Sequence, residues 1–132
     1  MPTITGEFTV KMQAETMSEV AAETGVGRMS LDKQYQGALD ASGKGEMLAF
    51  MDRALMSGVY VAMERVDGTL DGRHGSFLLH HSGVMERGAQ ALTVAVVPDS
   101  GTGELSGLSG KLAIRIEGGK HYYDFDYALA VA

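Results

Sequence analysis

Residues 61–85 read VAMERVDGTLDGRHGSFLLHHSGVM. Two stretches of alternating character flank Asp71-Gly72, a dipeptide that signals a tight β-hairpin. With Asp71 and Gly72 as the central pair, Val66 faces Phe77, Glu64 faces Leu79 and Ala62 faces His81. Side chains along a strand alternate between faces, so this register decides which residues meet. Glu64 and His81 become diagonal neighbours on one face. Tyr60 and Met85 share that mostly apolar face, which therefore points inward.

Neighbouring turns extend the register. Arg87-Gly88 sets His81 opposite Val94, Leu79 opposite Val96 and Gly83 opposite Leu92, so the inward assignment holds over three strands. Ser57-Gly58, read as a two-residue turn, sets Arg53 opposite Ala62 and brings it inward beside Glu64 and His81. Gly118-Gly119 sets Ile116 opposite His121, Ile114 opposite Tyr123 and Leu112 opposite Phe125, with Tyr127 following on that face. A turn at Ser42-Gly43 is ambiguous. A two-residue loop buries Asp32, Gln34 and Gln36. A three-residue loop buries Met29, Leu31 and Tyr35 and carries Lys33 inward, and we prefer it because it buries apolar side chains.

Alternating segments at residues 3–13, 28–41, 47–56, 59–70, 73–86, 90–97, 111–117 and 121–131 make eight expected strands. Long antiparallel strands in a short chain tend to close on themselves, which removes open edges. The expectation is an all-β fold: one eight-stranded antiparallel β-barrel over residues 1–132. Residues 14–27 depart from the pattern. Met17, Val20 and Ala21 stand at helical spacing, and the segment reads as a surface connection with a short helix or as a lid over a barrel mouth. On the opposite face of the central hairpins, Leu48, Phe50, Val61 and Met63 form an apolar exterior, which points to a homo-oligomer.

Composition narrows the function classes. The chain lacks Cys, which excludes disulfides, thiolate catalysis and thiolate-held metals. A net charge of −6 argues against nucleic acid and anionic membranes as partners. The opening MPTITGEFTV has no basic start and no long apolar run, so a cytoplasmic location is expected. Four His residues raise a metal hypothesis, but His80 and His81 point to opposite faces and His74 and His80 lie roughly 20 Å apart along a strand. No metal and no cofactor are expected. GTGELSG, starting at Gly101, has the wrong spacing for a dinucleotide-binding loop.

Arg53, Glu64 and His81 are the one polar group that the registers assemble. Glu64 and His81 could act as an acid–base pair once burial shifts their pKa values, with Arg53 holding Glu64 ionised or meeting an anionic ligand group. The plainer alternative is an interior ion pair that fixes the barrel, because a buried charge needs partners in any case.

Several stretches resemble the DUF3224 family of small bacterial proteins of unknown function. They are residues 61–85, VVPDSGTGELSGLSGK at 96–111, TITGEFTVKM near the start and HYYDFDYAL near the end. The resemblance implies a barrel similar to that of allene oxide cyclase, commonly homo-oligomeric, and no established activity. The chain departs from plant allene oxide cyclases in having neither Cys nor Asn.

Three functional readings follow. In the first, the barrel binds a small hydrophobic molecule, possibly carboxylated, between Tyr35, Tyr60, Phe77, Tyr123, Phe125 and Tyr127, with Arg53 on the acidic group. The second is a cofactor-free isomerase or cyclase using Glu64 and His81. In the third, large side chains fill the barrel and its working surface is the oligomer interface.

Overall fold

The structure, a computed structural model, describes residues 2–130. Eight strands form a closed antiparallel barrel in sequence order. They are β1 (Thr3–Glu15), β2 (Gly27–Gln36), β3 (Leu39–Asp52), β4 (Ser57–Leu70), β5 (Arg73–Glu86), β6 (Ala89–Val96), β7 (Leu108–Glu117) and β8 (Lys120–Leu129). The expected last strand ran to Val131, which lies outside the described residues.

Three hairpins have the registers expected from their turns. Val66 pairs with Phe77, His81 with Val94, and Ile114 with Tyr123. The turn pairs Asp71-Gly72, Arg87-Gly88 and Gly118-Gly119 all have positive φ at both residues. That conformation twists in the same sense as the strands it joins, which is why these dipeptides hold the two-residue loop.

Two expected turns are corrected. There is no turn at Ser42-Gly43: β3 runs straight through it, and the chain reverses at Gly37, whose φ is 112°. The Tyr123 hydroxyl secures that reversal, donating to Gln36 O at 2.9 Å and accepting from Leu39 N at 3.2 Å. Even so, Leu31, Lys33 and Tyr35 are buried while Asp32, Gln34 and Gln36 are exposed, the preferred face assignment. The second correction concerns Ser57-Gly58, which begins β4 instead of turning. The chain turns over residues 53–56, where Asp52 Oδ1 accepts from Leu55 N at 3.1 Å and Met56 takes φ 54°. Ala62 therefore faces Met47, and Glu64 faces Gly45.

The two ends of the barrel differ. At one end, Tyr35, Leu39, Leu70, Phe77, Tyr123 and Phe125 are fully buried, and Leu105, on a one-turn 3-10 helix at Gly103–Leu105, plugs the opening. Phe77 and Phe125 stack with centroids 5.9 Å apart. At the other end the inward positions Met12, Met51, Leu92 and Ile116 are about half exposed, leaving an open mouth. The segment between β1 and β2 forms turns, with Ala21 N donating to Ser18 O, and no helix. A Cβ on its Gly25 would lie 3.6 Å from Phe50, so this part of the connection runs along the outer wall.

Candidate functional site

Alternation on β2, β4 and β5 delivers Lys33, Tyr35, Glu64 and His81 to one point on the barrel axis side, all buried. Glu64 Oε1 accepts from Lys33 Nζ at 2.8 Å and lies 2.7 Å from His81 Nε2. The Tyr35 hydroxyl donates to both carboxylate oxygens, at 3.0 and 2.9 Å. Gly43 makes the space: a Cβ there would collide with Glu64 Oε2 and press on the Tyr35 ring. Burial, the largest effect, raises the Glu64 pKa. Hydrogen bonds and charge from His81 and Lys33 outweigh it, and the carboxyl ends below its ordinary value. Tyr35 is pushed well above the usual phenol range, by burial first and then by the Glu64 charge. The cluster is thus a carboxylate balanced by an ammonium and oriented by two further donors.

Next to it, toward the mouth, lies a cavity of about 290 Å³ on the inner face of β3–β6. Met47, Met51, Met85 and Leu92 line it together with Tyr60 and Gln90. The Tyr60 ring lies where a Cβ on Gly83 would stand, and its centroid is 6.5 Å from that of His81. Burial, then the Glu64 charge, raises the Tyr60 pKa, so the phenol keeps its proton and can donate.

The model of the family described as "Protein of unknown function (DUF3224)" matches residues 4–127. The chain belongs to the DUF3224 family. A crystal structure of a DUF3224 protein of unknown function from Shewanella oneidensis MR-1 is similar to it over 100% of this chain and 99% of that one, with TM-score 0.92 and 46% identity. No protein with a curated description matches the chain.

Within this DUF3224 barrel the expected site residues separate. Glu64 and His81 do meet. Arg53 does not join them: it stands exposed in the turn that follows β3, because that turn takes four residues where two were expected. Lys33 fills the cationic place instead. Among the expected aromatic wall, Tyr60 lines the cavity, whereas Phe77, Tyr123, Phe125 and Tyr127 pack with one another and with Tyr35 in the closed end. The Tyr127 hydroxyl is taken by Asp71. The sequence reading turns Met85 inward with Tyr60 but counts none of Met47, Met51 and Met85 in the ligand-binding wall, although the inward phase of β3 and β5 marks all three. Among the described residues, no three His, Asp or Glu gather as a metal site, and no helix is long and apolar enough to cross a membrane.

Proposed function

We propose that this barrel is a binding module for a small hydrophobic molecule held in its mouth. One observation carries the reading: the closed end is packed solid, while the open end keeps a cavity of about 290 Å³ lined by flexible thioethers and one tyrosine. Eight-stranded barrels have room for one small ligand, and pockets of roughly 300 Å³ begin the range that small molecules occupy. Methionine adapts its shape to whatever enters. A carboxylate on the ligand would not find Arg53 inside the barrel, since that side chain is in solvent.

The second reading, a cofactor-free isomerase or cyclase, draws on the 2.7 Å contact between Glu64 and His81 beside Tyr60. In that case Glu64 orients the ring, because a carboxylate held by three donors with a lowered pKa is a weak base. His81 would then move the proton.

We also propose that the outer wall joins copies of the chain. Leu48, Phe50, Val59, Val61, Met63 and Val84 stand 43–54% exposed on adjacent strands, an apolar area larger than scattered surface residues make. Native mass spectrometry of protein taken from its own host tests both proposals. The expected spectrum shows an oligomer carrying a small organic molecule; Met85→Trp removes the bound molecule, and Val61→Asp converts the oligomer to a monomer. An empty barrel contradicts the binding reading, and a wild-type monomer contradicts the interface.

A further inference from the structure

The mouth cavity carries a selectivity, and its argument rests on the binding reading above. Tyr60 and Gln90 are the only polar side chains lining the cavity among the described residues, and none of its lining residues is charged. Lys33, the interior cation nearest to it in the fold, is already committed to Glu64 at 2.8 Å with its own burial nearly complete. An anion entering the cavity would meet no free positive charge and would face the Glu64 carboxylate beyond Tyr60.

The rim does not compensate. On the three turns around the mouth, Asp52 adjoins Arg53 and Glu86 adjoins Arg87, while Lys120 lies 3.8 Å from Glu7 and Glu117 accepts from Arg115. The β1–β2 connection at the same end adds Glu19 and Glu23. Desolvating an ionised carboxylate or sulfonate without a partner is strongly unfavourable, whereas a neutral ring loses little on leaving water. Thioether sulfur also makes favourable contacts with aromatic rings, and three methionines and a tyrosine line one wall. The Tyr60 phenol supplies one hydrogen bond to an acceptor such as a carbonyl or an amine nitrogen, whereas the Gln90 amide is exposed and keeps its hydrogen bonds with water.

We propose that the cavity selects neutral aromatic molecules with at most one strong hydrogen-bond acceptor, and rejects their anionic counterparts. Two fluorescent probes with the same ring skeleton test this: N-phenyl-1-naphthylamine is neutral, and 1-anilinonaphthalene-8-sulfonate adds one sulfonate. The neutral probe is expected to bind saturably. Binding should be lost in Met85→Trp and in Met51→Trp, each checked for a native circular dichroism spectrum and cooperative unfolding. The sulfonate is expected to displace the neutral probe at least about tenfold more weakly, the penalty of an unpaired buried charge. Displacement within tenfold would overturn the selectivity while leaving the binding reading intact. Absence of neutral-probe binding, or binding indifferent to both tryptophans in folded protein, would overturn the binding reading and the selectivity together.

Discussion

Glu64 concentrates the electrostatic stakes of the fold. Its folded pKa lies below the ordinary value of 4.5, because His81 and Lys33 outweigh the cost of burial. The resulting stabilisation is fully present above the unfolded pKa and is lost as pH falls through the folded one. Acid should therefore weaken the barrel progressively below about pH 4.5. Glu64→Gln removes this dependence and leaves Lys33 buried without its counter-charge, at a cost of roughly 3–5 kcal/mol. Adding Lys33→Met should return much of that loss, because it removes the orphaned cation. Urea unfolding of wild type, single and double variants across the acid range reads all of these effects. A single variant as stable as wild type at neutral pH would contradict the account. The Glu64–His81 pair was legible in the sequence because Asp71-Gly72 admits only a two-residue loop. Arg53 was misplaced because nothing in Arg53-Ala54-Leu55-Met56 announces a four-residue turn: Met56 adopts φ 54° without being Gly or Asn.

Among the elements, β6 is the loosest part of the wall. It pairs with β5 along its length but with β7 only at Ala95–Lys111, so its first half presents an unpaired edge beside the mouth. Residues 89–93 are all exposed, Leu92 included, although Leu92 has the inward phase. By contrast, β4 is fully paired to β3 and β5. Hydrogen exchange should accordingly be fastest, among the strands, at the amides of residues 89–93 and slowest in the middle of β4, since local opening follows the density of buried contacts. Equal protection in the two places would contradict this seam. The sequence showed the strand but not its missing partner: hairpin parity links β5 to β6, whereas the long connection at residues 97–107 carries no register. The same limit explains Ser42-Gly43. Gly43 serves close approach, giving room to the Glu64 carboxylate, and a glycine kept for space looks in sequence like one kept for a turn.

At the scale of the whole molecule, one barrel has two unlike halves. Aromatic rings from β2, β5 and β8 fill the end that Leu105 seals, and methionines line the end that opens to solvent. Strand periodicity and turn chemistry made the closed eight-stranded barrel readable from the chain. Periodicity says which side chains point inward but not how completely they fill the space, so the division into a solid and a hollow half was not. The hollow half is what the functional account depends on. Methionine methyl groups report on it directly: cavities lined by apolar side chains take up xenon or benzene. In ¹H–¹³C spectra of methionine-labelled protein titrated with benzene, the methyls of Met47, Met51 and Met85 should shift together and saturate, while Met63 on the outer wall stays in place. Unmoved signals from all three inner methionines, or a saturable shift at Met63 alone, would contradict the claim that the mouth of this barrel is a binding site.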